Sequence, residues 1–145
     1  MVSDQWLKAS DQLVAWKVKC KVESNGPAKS FREVLVWQRA IELATTIYEL
    51  IAGFPKDERY ELSSQIRRAS VSVPSNIAEG QGRLSTGEFR QFLGVARGSN
   101  FELQTQLEIA RRVKLGDPKL IDEAEGLSHE VGKMIHAILE KSRNR

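Results

Sequence analysis

The feature that most constrains this chain is a recurrence of apolar residues every three or four positions in four separate segments. After residue 30, no run alternates as a half-buried strand would. The spacing is strictest near the C-terminus, where it follows a 4,3,4,3,4 order at Leu120, Ala124, Leu127, Val131, Met134 and Ile138. This spacing places side chains along one stripe of an α-helix, so the pattern predicts an all-α chain.

Helix-stopping residues divide the first half of the chain into two helices. The first is predicted over residues 31–52, with two adjacent apolar stripes that contact more than one neighbour. The second is predicted over residues 58–79, after a cap at Asp57. It contains Pro74, which removes a backbone donor and predicts a kink or a restart at Asn76.

The second half of the chain predicts two more helices. The third begins at Ser85, which forms a capping box with Glu88, and runs for about thirty residues. Asp117 and Pro118 supply the cap and the first position of the fourth. Because short connections make neighbouring helices antiparallel, we expect an up-down-up-down antiparallel four-helix bundle over residues 30–145.

Residues 1–29 are predicted to form a short N-terminal arm outside the bundle. Apolar residues from Trp16 to Val22 alternate with lysines, which is typical of an extended edge strand and equally of a mobile arm. The arm contains Cys20, the single cysteine, so a reducing compartment is expected. Neither a signal peptide nor a membrane span is indicated, and the expected location is the cytoplasm.

The sequence offers few candidates for catalysis. His129 and His136 are seven residues apart, wider than the spacing of helical metal pairs, and are predicted to be surface residues. No serine has an elbow motif or an adjacent base. We therefore expect neither an enzyme nor a resident metal or cofactor. Gly94 and Gly98 form a small-xxx-small pair, which predicts a close helix crossing.

Basic residues are the candidates for binding, with 22 Lys and Arg against 19 Asp and Glu. On the third helix, arginines recur at multiples of seven with Gln104 in the gap. This stripe predicts a phosphate-contacting surface or, alternatively, a solvated face with local ion pairs such as Glu108 with Arg112. At least one of Arg67 and Arg68 is expected at a helix–helix or subunit boundary, paired with a carboxylate such as Glu79 or Glu102. The candidate nucleic-acid-binding residues are Arg83, Arg90, Arg97, Arg111, Arg112 and Lys114.

Several segments resemble a known family over about residues 31–140. FREVLVWQRAIELATTIYEL, the stretch from Ser64 to Arg83, and EFRQFLGVARGSNFELQTQL are similar to the four-helix bundle proteins encoded in intervening sequences of bacterial 23S ribosomal RNA. The middle stretch is the most distinctive, because a proline inside a helix is followed by Ser-Asn-Ile-Ala-Glu-Gly. Two departures are Gln104, where the family usually has Glu, and residues 1–29, which precede the family's usual start.

The resemblance implies a non-enzymatic bundle that forms a homopentamer and binds RNA or a ribonucleoprotein through a basic surface. A related protein, the accessory variability protein of diversity-generating retroelements, has the same bundle and works with a reverse transcriptase. A protein–protein adaptor or accessory subunit is therefore the alternative function. The implied family-pattern or assembly positions are Arg67, Arg68, Ser72, Pro74, Asn76, Glu79, Gly80, Arg83, Glu88, Phe89, Gly98, Ser99 and Glu102.

Overall fold

The protein is an all-α, up-down-up-down antiparallel four-helix bundle, as predicted. The structure is a computed structural model that describes residues 30–58 and 61–143, so the predicted arm lies outside the described residues. Consecutive helices pack against each other, and the last also packs against the first. The four helices are α1 (Leu35–Ala52), α2 (Leu62–Gln81), α3 (Thr86–Arg112) and α4 (Pro118–Ser142).

Two helices begin later than predicted because short 3₁₀ turns precede them. Phe31–Glu33 is a separate turn, held by the Ser30 hydroxyl and followed by extended backbone at Val34. Asp57 lies inside the turn Lys56–Glu58 and does not cap α2, since the N-cap position is Glu61. The predicted cap at Asp57 is therefore wrong.

α2 continues without a break through Pro74, so the predicted restart at Asn76 is also wrong. Proline has no N–H to offer the carbonyl one turn earlier. Side chains donate to neighbouring carbonyls instead: Ser75 Oγ to Val71 O at 2.7 Å, and Asn76 Nδ2 to Ser72 O at 2.8 Å. Asn76 thus supports the interior of α2 rather than the start of a new helix.

The starts of α3 and α4 are confirmed. The Ser85 hydroxyl accepts a hydrogen bond from the backbone N–H of Glu88 at 3.2 Å. A carboxylate oxygen of Asp117 accepts one from the N–H of Lys119 at 2.9 Å, and Pro118 occupies the first turn. These caps satisfy backbone donors that a helix leaves free at its N-terminus.

α3 ends at Arg112, a few residues before Gly116, because Lys114 adopts a left-handed conformation. Lys114 has φ 60°, and its N–H donates to the carbonyl of Arg111. The N–H of Leu115 reaches back to the carbonyl of Ala110 at 2.9 Å. This pair of bonds is a Schellman motif, which normally places glycine where Lys114 lies.

The buried core forms two clusters along the bundle. One contains Ala40 of α1 and Val73 of α2, and the other contains Ile47 and Ile66. The principal apolar stripes predicted for α1 and α2 are buried, apart from the half-buried Leu62. In α3 and α4, the buried residue at several turns lies one position after the residue that the apolar spacing predicts to be buried. Leu93, Asn100 and Ser128 are fully buried, whereas Phe92, Ser99 and Leu127 are half-buried.

Candidate nucleic-acid and assembly surfaces

Part of the predicted cationic stripe of α3 faces α4 and is bonded to it. The guanidinium of Arg90 donates to the carbonyl of Leu139 and to the hydroxyl of Ser142. About four helical turns further along α3, Gln104 Nε2 donates to Ser128 Oγ at 2.9 Å. Arg90 therefore holds the C-terminal turn of α4, where cationic side chains suit the unpaired carbonyls of the helix.

Arg111 ends the same stripe in a charge cluster with α4. Its Nη2 lies 2.8 Å from carboxylate oxygens of both Asp122 and Glu125. The hydrogen bond to Asp122 is the largest cause of a raised pKa for Arg111, with Glu125 adding to it. Two carboxylates around one guanidinium leave no net positive charge for a phosphate at this position.

The other four predicted cations are more available. Arg83 and Arg112 form exposed pairs one turn away, with Glu79 at 2.9 Å and Glu108 at 3.0 Å. Pairs of this kind contribute little to stability and exchange readily with other partners. The Glu108 pair is the local ion pair that the solvated-face alternative predicts.

Arg97 and Lys114 have no ion pair within the described residues. The guanidinium of Arg97 lies 5.4 Å from the ring centroid of Phe101, which is itself half exposed. Lys114 projects from the turn between α3 and α4. These two side chains are the least committed of the six candidates.

Arg67 and Arg68 are exposed on α2 and form none of the ion pairs predicted for them. Glu79 pairs with Arg83 instead. A carboxylate oxygen of Glu102 accepts a hydrogen bond from Gln106 Nε2 at 3.1 Å and has no cation beside it in the described part of the chain. The predicted pairing with Glu102 is thus not made within one bundle.

Other family-pattern residues join α2 to α3. The hydroxyls of Ser72 and Ser99 are 2.7 Å apart, and Asn76 Nδ2 donates to Ser72 Oγ at 2.9 Å. Gly80 lies so close to α3 that an added Cβ would be 3.2 Å from the Cβ of Phe92. These positions determine how closely the two helices pack.

The predicted helix crossing at Gly94 and Gly98 is wrong within the described bundle. A Cβ added at either glycine would have nothing within 4 Å, because both residues face outward. Gly98 belongs to an exposed face with 4,3 spacing that we call the outer seam of α3. Its members are Gln91, Val95, Gly98, Glu102, Thr105, Ile109 and Arg112, all exposed.

The outer seam includes large apolar side chains that are exposed to solvent. Val95 and Ile109 are 47% and 45% exposed, and Phe101 beside them is 50% exposed. A shallow groove runs along this surface, lined by Phe101, Gln104, Thr105, Glu108, Ile109 and Arg112. Exposed apolar residues grouped on one helix face are typical of a surface that contacts another protein.

Exposed apolar residues also lie on the opposite side of the bundle. Arg39 of α1 reaches α4, so the other flank of α1 faces α2. That flank carries Ile41, which is half-buried, and Tyr48, which is 49% exposed. On α2, Val71 is 40% exposed and lies one turn after Arg67. We call Ile41, Tyr48, Arg67 and Val71 the α1–α2 face.

Two polar contacts between helices were missed by the sequence analysis. Asn100 Nδ2 donates to the carbonyl of Ser128 at 2.9 Å, and Ser128 Oγ donates back to Asn100 Oδ1 at 2.7 Å. Arg39 Nε lies 3.1 Å from Glu130 Oε1, joining α1 to α4. A polar residue at a position of apolar spacing is the signal for Asn100, whereas Arg39 carries none.

Burial raises the pKa of the Glu130 carboxyl above its usual value, and the charge of Arg39 opposes the shift. Arg39 also lies 2.9 Å from Glu42, so one guanidinium serves two carboxylates. The electrostatics of this site therefore tie α1 to α4 and give no acid–base pair in a cleft.

The predicted surface histidines are confirmed, since His129 and His136 are both exposed. Among the described residues, no group of His, Cys, Asp or Glu is placed to hold a metal ion. The helices that the structure describes include none that is long and apolar enough to cross a membrane.

The fold and these surfaces define a class of protein: a short-looped antiparallel four-helix bundle with arginines on its third helix. Residues 32–137 match the family model of the 23S rRNA-intervening sequence protein, and the chain belongs to that family. This confirms the resemblance found in the sequence.

One solved structure with the same fold is a protein of unknown function from the S23 ribosomal protein family of Bacteroides thetaiotaomicron. It is 23% identical, with a TM-score of 0.66, over 72% of this chain and 98% of that chain. No curated protein matches this chain.

Proposed function

We propose that this protein is a non-enzymatic, self-associating four-helix bundle that binds RNA through basic side chains. The observation that carries the proposal is the outer seam of α3, which presents exposed Val95 and Ile109 around Gly98. Glycine in a helix lets another helix approach closely, and nothing in the bundle uses that space. A second copy of the chain is the occupant we propose, and family membership supports it.

The α1–α2 face supports self-association as well. Its exposed Tyr48 and Val71 lie on a different side of the bundle from the outer seam of α3. Two different surfaces on one chain can meet head to tail, and a head-to-tail contact closes into a ring when the rotation permits. A homopentamer, as the family resemblance implies, is one such ring.

RNA binding is proposed for the cations that the bundle leaves available: Arg97 and Lys114, with Arg83 and Arg112 in exchangeable surface pairs. Arg90 and Arg111 are omitted because α4 already neutralises or holds them. Arginine and lysine contacts to phosphate depend strongly on salt and are insensitive to sequence. Phe101, beside Arg97, adds an exposed ring on which an unpaired base can stack.

Self-association is tested by adding bulk to the outer seam. We expect Gly98→Leu to fold normally and to sediment as a monomer under conditions where the unmodified protein is assembled. The matched control is Gly126→Leu on α4, an exposed glycine where an added Cβ also meets nothing within 4 Å. Equal sedimentation of the two variants would contradict a role for the seam.

RNA binding is tested by charge reversal at Arg97 and Lys114. We expect the double Glu variant to bind a short single-stranded RNA more weakly at every sequence. Its salt dependence should be shallower by about 0.7 per lost contact. The control is Arg32→Glu with Lys56→Glu, the same charge change at exposed positions elsewhere. If both double variants lose the same affinity, the loss comes from the change in net charge and not from a specific site.

The second candidate function is a protein–protein adaptor or accessory subunit of a ribonucleoprotein or reverse transcriptase complex. The neutralised cluster at Arg111 and the apolar outer seam favour it, since both suit a protein surface better than a phosphate chain. A native mass spectrum of protein purified without nuclease or high salt separates the two functions. An assembly that retains RNA supports the first, and an assembly free of RNA that retains another protein supports the second.

A further inference from the structure

We propose that Arg67 of one copy pairs with Glu102 of the next copy, and that this ion pair sets the register of the contact between them. The proposal rests on the self-association proposed above and adds the residues that orient it. It starts from two charges of opposite sign, neither of which has a partner of opposite charge among the residues that the structure describes.

Arg67 is the cation of the α1–α2 face. Ser72 and Gly80 show which side of α2 faces α3, because Ser72 bonds Ser99 and Gly80 touches Phe92. At 3.6 residues per turn, Arg67 lies about 140° around the helix from Ser72, and therefore toward α1. Its neighbour Arg68 lies only about 40° from Ser72 by the same geometry, on the side of α2 toward α3 and away from the α1–α2 face.

Arg67 shares the α1–α2 face with exposed apolar side chains. Val71 follows it by one turn and is 40% exposed. Ile47 of α1 and Ile66 of α2 belong to the same core cluster. Tyr48 follows Ile47 in the sequence, and Arg67 follows Ile66. A guanidinium placed between exposed apolar residues, with no carboxylate beside it, is suited to a carboxylate that arrives with an apolar partner surface.

Glu102 has the complementary surroundings at the middle of the outer seam of α3. Gly98 lies one turn before it, and the exposed Val95 and Ile109 lie two turns away on either side. Its carboxylate accepts a hydrogen bond from Gln106 but has no cation beside it among the described residues. A charged residue between apolar positions of a helix seam is a common way to fix register and partner orientation.

The contact uses different surfaces of the two copies, since Arg67 is on α2 and Glu102 is on α3. Arg67 therefore meets Glu102 of the next copy, whose own Arg67 remains free to meet a third. Repeated from copy to copy, this head-to-tail arrangement gives a closed ring or an extending chain, whereas a two-fold dimer would form the same pair twice between two copies.

The experiment is a charge swap followed by sedimentation. We expect Arg67→Glu alone and Glu102→Arg alone to weaken assembly by roughly 100-fold or more, because each places like charges opposite one another. The double variant, which carries both changes in one chain, restores opposite charges and should assemble again. Arg68→Glu is the matched control and should assemble like the unmodified chain.

Mixing the two single variants gives a stricter test. Each chain then finds the opposite charge only on the other chain, so the mixture should associate in alternating order although neither chain does so alone. A ring with an odd number of copies would retain one like-charge contact, so the expected readout is sedimentation faster than that of either single variant. Circular dichroism of each variant checks that the exposed substitutions leave the helices intact.

The outcomes distinguish this proposal from the one on which it rests. If the unmodified chain is monomeric, self-association itself fails. If it assembles and Arg67→Glu or Glu102→Arg assembles equally well, the seam contact stands without this pair. Loss of assembly in the singles without recovery in either the double variant or the mixture overturns the pairing.

Discussion

At the scale of single residues, Lys114 is the clearest conflict between local preference and fold. Its left-handed backbone conformation completes the Schellman motif after α3, at a position where glycine is the favoured residue. A side chain in this conformation costs about 1–2 kcal/mol relative to its ordinary regions. The residue is kept although the turn alone would prefer another, which agrees with a binding role for its ammonium group.

We predict that Lys114→Gly raises the free energy of unfolding by about 0.5–1 kcal/mol, since glycine relieves the strain but loses more chain entropy on folding. Urea denaturation measures the change. Lys114→Ala removes the same charge but keeps a Cβ, so it should not be stabilising. A gain of equal size in both variants would point to charge and not to backbone strain.

Asn100 and Ser128 give the second prediction at this scale. Asn100→Ala removes both hydrogen bonds and leaves the Ser128 hydroxyl buried without its acceptor. We expect a loss of about 2–4 kcal/mol in the free energy of unfolding, from the lost bonds, the unpaired group and the cavity.

The double variant Asn100→Ala with Ser128→Ala tests whether the two residues act together. Because they share the same bonds, its loss should be smaller than the sum of the two single losses by at least about 0.5 kcal/mol. Strict additivity would mean that the two side chains stabilise the bundle independently.

At the scale of helices, the joint between α1 and α4 depends on pH through Glu130. Burial raises the pKa of this carboxyl, so the folded chain holds the proton more tightly than the unfolded chain does. The stabilisation from this proton is complete below the unfolded pKa and is lost as the pH rises through the folded pKa.

Glu130→Gln cannot titrate, so we predict that its stability relative to the unmodified protein increases as the pH rises from about 4 toward 7. Urea denaturation of both proteins at several pH values measures this difference. The other carboxylates titrate in both proteins, so their contribution cancels. Glu123→Gln, an exposed carboxylate on the same helix, should show no such trend. A pH-independent difference for Glu130→Gln would contradict the burial effect.

The sequence was sufficient to predict the helices and their order but not every buried position. In α1 and α2, the three- and four-residue spacing of apolar side chains was sufficient to identify the principal buried stripe. In α3, the neighbours Phe92 and Leu93 are both apolar, and Ser99 and Asn100 are both polar. Only the packing of Ser128 against Asn100 decides which of each pair faces the core.

The same reason limits the prediction of the binding surface. Spacing by seven correctly groups Arg90, Gln104 and Arg111 on one side of α3. It contains no information about which residues of α4 lie opposite, because that depends on the register of two helices. Asp122 and Glu125 lie there, and they turn a predicted phosphate-contacting residue into part of a cluster with no net positive charge.

At the scale of the whole molecule, the bundle leaves two exposed apolar surfaces, the outer seam of α3 and the α1–α2 face. Association of folded chains through them would stabilise the folded state by mass action. We therefore predict that the melting temperature of the unmodified protein rises with protein concentration, and that Gly98→Leu melts at a temperature independent of concentration. A melting temperature independent of concentration in both would argue that neither surface is used in association.

Gly94 and Gly98 also have a consequence for engineering. Glycine inside a helix lowers its stability by about 0.5–1 kcal/mol relative to alanine, and no contact within the bundle requires it at these positions. A search for heat-resistant variants of a single chain would therefore replace both glycines early. Replacement of Gly98 would stabilise the single chain while closing the surface that we assign to association. A thermostability screen of this protein should accordingly select on assembled mass as well as on melting temperature.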